Sequence, residues 1–348
     1  MLELRSPDGA FERIETYLRE RGFFAPGGEE LVADLYLGYG LSEPLRRTAV
    51  AAPPEPCPAL PLAAVAIRDT MGSDPDMSAT DGVRIGAWER TWSDAAYAEA
   101  VEAVRAAIGR GDVYQVNLVQ HLSAGLDGNG EGVAAALAPF GPRTLAGEGW
   151  AVVSASPELF LQRRGRLVRT CPIKGTRPLG EHVEGEKDEA EHVMIVDLER
   201  NDLSHVCEPG SVRWPELMAE RELAGVTHLV STVEGTLRED VGLAELLAAT
   251  FPGGSVTGAP KLAALDLIAA LEPVGRGASM GALGTVRGSG DLDLALTIRT
   301  FAVADGRIHL WVGGGIVWDS DPEAEIEESW TKARPLLAAV GAPVEVHA

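Results

Sequence analysis

A lysine stands between Pro172-Ile173 and Gly175-Thr176-Arg177-Pro178. The glycine lets the backbone approach a ligand closely and offers its N–H. The lysine is a point cation when charged and a nucleophile when desolvated and neutral. The same heptapeptide would also serve as a plain surface turn with a solvated lysine, and Lys174 alone does not choose between the two. Carboxylates come next. Glu325 and Glu328 are three apart in a stretch that reads as a helix over residues 321–337, so they share a face. Like charges that close weaken a helix unless a cation sits between them. Glu191 follows Asp188 on another helical stretch, residues 184–206, whose start is rich in acidic residues as the helix dipole favours. Brought together, the three glutamates would form a hard oxygen site suited to Mg²⁺. In a chain with 52 acidic residues such pairs also arise as ordinary solvated faces.

Other residues carry weaker signals. Glu158, in Ser156-Pro157-Glu158-Leu159-Phe160, is a carboxylate at the edge of an apolar strand, suited to general acid–base work if buried. His228 lies in the apolar run Thr227-His228-Leu229-Val230-Ser231, where a core histidine is the simpler reading. Arg299, in Thr297-Ile298-Arg299-Thr300, sits in an apolar strand pattern and needs an anionic partner, from the protein or from a ligand. Gly253-Gly254-Ser255-Val256-Thr257-Gly258 precedes a helix and can present N–H groups to an anion, but it lacks the spacing of a nucleotide-binding P-loop. Gly313-Gly314-Gly315, at the end of a strand, is a second such place. Ordinary tight turns are the alternative for both.

These residues need elements to position them. Ser93 is a plausible N-cap for a helix with Tyr97, Val101, Val104 and Ile108 on one face, ended by Gly111. Residues 113–122, 150–154, 159–163, 166–171, 227–236, 281–286, 292–304 and 308–312 read as strands, with helices at 243–250 and from Ser255 past Pro260. The last of these shows an apolar stripe at Leu262, Leu265 and Ala269. The segments 51–61, rich in Ala and Pro, and 69–81 read as loops. The order of elements is mixed, without regular βαβ alternation, which predicts an α+β fold.

Composition narrows the function further. A net charge of −22 argues against nucleic-acid binding, since a phosphate backbone would be repelled. No stretch approaches the roughly 20 apolar residues of a membrane span. Met1-Leu2-Glu3-Leu4-Arg5 lacks the features of a secretion signal. Cys57, Cys171 and Cys207 are widely spaced, which fits reduced thiols and a cytoplasmic location rather than a disulfide framework or zinc site.

Taken together, the motifs resemble those of the chorismate-utilising enzymes. The matching stretches are GDVYQVNL (111–118), SPELF (156–160), PIKGTRP (172–178), DEAEHVMIVDLERNDL (188–203), THLVSTVEG (227–235), FPGGSVTGAPK (251–261), LTIRTF (296–301) and GGGIVWDSDPEAEIEES (313–329). The resemblance implies one α+β chorismate-binding domain, with a two-layer β core flanked by helices and an active site in a deep cleft. Residues 93–348 would be the catalytic region and residues 1–92 a shortened N-terminal part of the same fold. By resemblance, Glu191, Glu325 and Glu328 match the family's Mg²⁺-site glutamates, which hold the ring carboxylate of chorismate together with Gly175 and Thr176. Arg299 and Gly315 match the residues that hold the enolpyruvyl carboxylate. Glu158 resembles the general acid/base at the C4 hydroxyl and His228 a polar residue near the ring. Ser255 and Thr257 would line the cleft.

Within the family, isochorismate and salicylate synthases carry a lysine base where this chain has Gln115, which disfavours activation of water at C2. Anthranilate synthases usually carry alanine, and aminodeoxychorismate synthases typically lysine, at the position of Lys174. The resemblance therefore implies aminodeoxychorismate synthase component I chemistry: chorismate and ammonia give 4-amino-4-deoxychorismate, for 4-aminobenzoate and folate, through a covalent Lys174 intermediate. Anthranilate synthase component I is the first alternative, and a non-catalytic chorismate-binding subunit the second. The match leaves little room for a glutaminase domain, which implies a separate glutamine amidotransferase subunit in a heterodimer. Two departures stand out. Thr285 occupies the place assigned to a family tyrosine that bonds the enolpyruvyl carboxylate, and no tryptophan-binding signature is found.

Overall fold

The computed structural model describes residues 1–68, 82–178, 186–223 and 226–341. In chain order the strands are β1 (Leu2–Leu4), β2 (Val32–Leu37), β3 (Ala63–Ile67), β4 (Arg84–Ile85), β5 (Glu89–Arg90), β6 (Gln115–Asp127), β7 (Arg143–Gly147), β8 (Trp150–Ser154), β9 (Leu159–Arg164), β10 (Leu167–Cys171), β11 (Ile173–Pro178), β12 (Arg213–Leu223), β13 (Val226–Thr236), β14 (Gly258–Ala259), β15 (Ala282–Arg287), β16 (Leu292–Leu296), β17 (Thr300–Ala304) and β18 (Arg307–Ile316). The helices are α1 (Ala10–Arg19), α2 (Asp94–Gly109), α3 (Gly130–Ala136), α4 (Glu186–Ser204), α5 (Leu243–Thr250), α6 (Lys261–Leu271) and α7 (Pro322–Ala339).

Two antiparallel sheets form the β core of an α+β fold. The first runs β1-β3-β2-β15-β16-β9-β10-β13-β11, with β12 also paired to β13. The second runs β14-β6-β18-β17-β8-β7, with β4 and β5 paired to β6. The first 92 residues thus supply strands to both sheets. Alternation along β18 sorts its side chains between two cores. Trp311 joins the large core shared by both sheets, while Leu310 and Val312 pack with Ala333, Leu336 and Leu337 of α7.

Local sequence explains the helices that flank this core. Ser93 Oγ accepts the Ala96 N–H at 3.2 Å, and α2 buries Tyr97, Val101 and Val104 as its pattern predicts. Asp321 caps α7 by accepting the Ala324 N–H at 2.9 Å, with Pro322 in the first turn where its missing N–H is not needed. Helix α6 begins at Lys261 rather than at Ser255, and its buried stripe is Ala264, Leu265 and Ile268. Residues 51–61 form no regular helix or strand; the loop expected over 69–81 lies outside the described residues.

The strands depart from the sequence reading in three places. Residues 292–304 are not one strand: β16 belongs to the first sheet and β17 to the second, and Thr297–Arg299 cross between them. Thr297 fixes the crossing. Its carbonyl accepts the Met280 N–H at 3.0 Å, its hydroxyl accepts the Gly281 N–H at 2.8 Å, and its own N–H donates to Gly281 O at 3.0 Å. Lys174 is not in a turn but in β11, opposite Leu229 of β13. Strand β12 has no counterpart in the sequence reading. Its alternation is broken by Pro215, by two register shifts and by Met218 at φ 53°.

A buried ion pair joins the layers. Arg276 and Glu272 side chains are 1% and 2% exposed. Arg276 donates to both Glu272 oxygens (2.9 and 2.7 Å), to Val256 O (2.8 Å) and to Asn117 O (2.6 Å). Glu272 also accepts the Val119 N–H at 3.1 Å, and the guanidinium lies 4.5 Å from the Tyr39 ring centroid. Removing one partner leaves the other charge buried and unmatched. Glu272→Leu should cost about 3–5 kcal/mol in urea unfolding, with part of the loss recovered in Glu272→Leu/Arg276→Met. A single variant as stable as the parent would mean that the pair does not hold the layers.

Candidate active site

The chemistry-bearing residues gather where β11 and β13 of the first sheet meet β6 and β18 of the second. Between Lys174 and Arg177 the β11–β13 register shifts, and Gly175 takes φ 60°, a conformation that favours glycine. The freed Gly175 carbonyl meets His228 Nδ1 at 2.9 Å. A carbonyl only accepts, so Nδ1 carries the hydrogen. Burial holds His228 below the usual imidazole range; the Gly175 bond opposes this and nearby Arg299 adds to it. His228 is therefore a neutral imidazole that braces the Lys174 strand.

Lys174 Nζ lies 3.9 Å from Glu191 Oε2 on α4, both side chains 14% exposed. On its other side is Gly315 of β18. A methyl group at Gly315 would collide with Gln115 Nε2 and stand 3.4 Å from Lys174 Nζ. Glycine is needed there for the lysine and the carboxamide to come close. Gln115 is fully buried, and neither its Oε1 nor its Nε2 has a hydrogen-bond partner among the described residues.

Glu158 precedes β9 and is 5% exposed. Its Oε1 accepts the Ser255 hydroxyl at 2.7 Å. Burial pushes its carboxyl up from the ordinary range, opposed by the Ser255 bond, the Lys174 charge, the Ile173 N–H and the Arg299 charge. Arg299 sits at the crossing rather than within a strand, at φ 50°. Burial pulls its guanidinium down, and Glu158 opposes that shift. Lys174, Glu158, His228 and Arg299 are thus electrostatic neighbours drawn from four separate segments.

The carboxylate pair approaches the neighbouring glycine. A methyl group on Gly314 would stand 3.2 Å from Glu328 Oε1 and 3.3 Å from Glu325 Oε2. Glu325 is buried and accepts the Ser320 hydroxyl at 2.6 Å. Lys332, one helical turn beyond Glu328, donates to Glu328 Oε1 at 2.7 Å and to Gly313 O at 2.8 Å, offsetting the paired charge. The donors are all carboxylate oxygens, a set whose chemistry fits Mg²⁺ rather than a soft metal. Glu191 is the carboxylate beside Lys174, and no group of three such ligands is assembled among the described residues.

Not every expected residue joins this constellation. Thr257 is fully buried and its hydroxyl accepts from Tyr39 at 3.2 Å, within the network around Arg276. Thr285 lies elsewhere, between Asp34 and Asp293 in the first sheet, beside the Arg68–Asp34 and Gln162–Asp293 contacts. The residues just before that position that reach the Arg299 crossing are Ser279, Met280 and Gly281. The side chain of Thr176 lies outside the described residues. Sequence reading missed Lys332, which its i+4 spacing from Glu328 would have flagged. It also missed Asn117, the cross-strand partner of Gly315.

With this geometry in place, the chain belongs to the chorismate-binding enzyme family, whose pattern matches residues 38–338. It is 42% identical over 269 residues to anthranilate synthase component 1 of Streptomyces coelicolor, covering 73% of this chain and 53% of that one. It is 42% identical over 267 residues to aminodeoxychorismate synthase component 1 of Klebsiella aerogenes, covering 72% and 59% respectively. The chain thus spans between half and six-tenths of the length of these curated relatives. Anthranilate synthase component I from Streptococcus pneumoniae superposes with a TM-score of 0.76 at 26% identity, over 87% of this chain and 80% of that one. No helix among the described residues is long and apolar enough to cross a membrane.

The tight approach at Gly315 is testable. Gly315→Ala should fold with a melting temperature close to the parent's and lose on the order of 100-fold in kcat/KM for chorismate, because the new methyl displaces Gln115 and crowds Lys174. Unchanged kinetics would place the substrate elsewhere.

Proposed function

We propose that the chain converts chorismate and ammonia to 4-amino-4-deoxychorismate, with Lys174 as covalent nucleophile. The observation that carries this reading is the position of Lys174 Nζ, against Gly315 on one side and within the field of buried Glu158 on the other. Attack needs the free amine, so the contact with Glu191 is exchanged when substrate enters. Arg299 and the Gly315 backbone would hold the enolpyruvyl carboxylate. Glu191, Glu325 and Glu328 would hold Mg²⁺, which supplies positive charge to bind and orient the ring carboxylate.

The steps balance as follows. The Lys174 amine bonds to C2 while the C4 hydroxyl departs as water with a proton from Glu158. Ammonia then bonds to C4, the ring double bond shifts, and Lys174 leaves with the electron pair of its bond to C2. The new ammonium group returns one proton to the Glu158 carboxylate. Burial of Glu158 favours the protonated form that the first step requires.

A second reading, anthranilate synthase component I with Lys174 as a bystander, is favoured by equal identity to a relative of that name. Ammonia in either case would come from glutamine through a separate amidotransferase subunit.

Product analysis by mass spectrometry separates the two. With chorismate, Mg²⁺ and ammonium, the expected product becomes 4-aminobenzoate only when aminodeoxychorismate lyase is added, and Lys174→Ala should lower its formation at least 100-fold. Anthranilate formed without the lyase, and unaffected by Lys174→Ala, would establish the second reading.

The pH profile tests Glu158. Its acid form is lost as pH rises, so kcat/KM should fall on the alkaline side. The Ser255 hydrogen bond stabilises the ionised carboxylate, and Ser255→Ala removes that effect, raising the carboxyl's pKa. The alkaline limb should therefore move to higher pH in Ser255→Ala. A shift to lower pH would contradict the general-acid role.

A further inference from the structure

We infer that the carboxamides of Gln115 and Asn117 form the subsite that holds ammonia before it adds to the ring. The inference rests on the amination proposed above and adds the place from which the nitrogen is delivered. Three buried polar atoms there have no hydrogen-bond partner among the described residues: Gln115 Oε1, Gln115 Nε2 and Asn117 Oδ1. Gln115 is fully buried and Asn117 is 7% exposed. A buried amide left unpaired costs on the order of 1–3 kcal/mol, so three such atoms together point to a polar occupant.

Their placement follows from the strand. Gln115 and Asn117 are two apart on β6 and project to the same face. The cross-strand partner of Asn117 is Gly315, which has no side chain to fill that face. Gln115 Nε2 and Lys174 Nζ both crowd the spot where a Gly315 methyl would stand. The unpaired amides therefore open beside the lysine that the second step releases. The backbone of Asn117 is committed to the fold, with its N–H to Thr257 O at 2.9 Å and its carbonyl to Arg276 at 2.6 Å. Only its side chain remains for a ligand.

The chemistry of the pair suits ammonia. Ammonia has three N–H donors and one lone pair. Gln115 Oε1 and Asn117 Oδ1 would accept two of the donors, with the lone pair turned away from the Gln115 Nε2 donor and toward the ring. Neither amide ionises, so neither retains ammonia as ammonium by forming an ion pair with it.

The experiment uses the full chain with ammonium chloride as nitrogen source and varies ammonium and chorismate separately. In Asn117→Val and Gln115→Met, the KM for ammonium should rise at least tenfold while the KM for chorismate changes less than threefold. In Asn117→Ala, which enlarges the subsite, methylamine should replace ammonia, giving a product one CH₂ heavier that the parent does not form. That gain cannot come from misfolding. An unchanged ammonium KM, or a rise confined to chorismate, overturns the inference, as does the absence of methylamine product in a folded Asn117→Ala. If the parent forms no aminated product at all, the amination proposal itself fails, and the two failures are told apart by that control.

Discussion

The Arg276–Glu272 pair is the interaction on which the rest of this structure leans. Every hydrogen bond it makes goes to a segment that carries the site. Asn117 and Val119 belong to β6, and Val256 belongs to the turn that delivers Ser255 to Glu158. Tyr39, stacked on the guanidinium, hands on a further bond to Thr257 in the same turn. A buried ion pair is a poor source of net stability compared with a well-packed apolar replacement. What it supplies is direction. The fork of the guanidinium fixes where two backbone carbonyls must be, which apolar contacts of equal area do not.

Around the site the protein gathers cations against its own acidic character. The chain carries a net charge of −22, yet Lys174, Arg299 and Lys332 converge near one short stretch of β18 and the strands beside it. Each stands within reach of a carboxylate: Glu191, Glu158 and Glu328 respectively. A dianionic substrate entering such a place would exchange partners with the protein's own acids. On the proposed reading, that exchange would free Glu158 for proton transfer and the glutamates of α7 for a cation. Pairing each cation with an acid spares the empty site a buried, unmatched charge.

Much of this was legible in the chain because the signals were local. Helix α2 announced itself by its cap and apolar face, β8 by its apolar run between turns, and the glutamates of α7 by their spacing. What escaped had non-local causes. Residues 292–304 read as one strand because both halves are apolar, and nothing in the residue types shows that Thr297 turns the chain from one sheet into the other. Strand β12, with Pro215 and exposed Trp214 and Leu217, lacks the two-residue period and is held by β13 alone among its strand neighbours. Thr285 was placed by its order along the chain, while its position in the sheet is set by register with β2 and β16. The unpaired amides of Gln115 and Asn117 have no sequence signature at all, since partnership is a property of the surroundings.

Two adjacent glycines of β18 face different neighbours. Neighbouring residues of a strand face opposite ways, so Gly315 opens toward Lys174 and Gln115 while Gly314 opens toward Glu325 and Glu328. At these two positions β18 presents bare backbone to both neighbours, so no side chain of its own stands between them. Ten residue pairs with β6 hold its register. A slip of a single residue would exchange the two faces, turning every position of the strand toward the opposite neighbour. Which neighbour meets which glycine is thus set not by any side chain but by the parity of a strand.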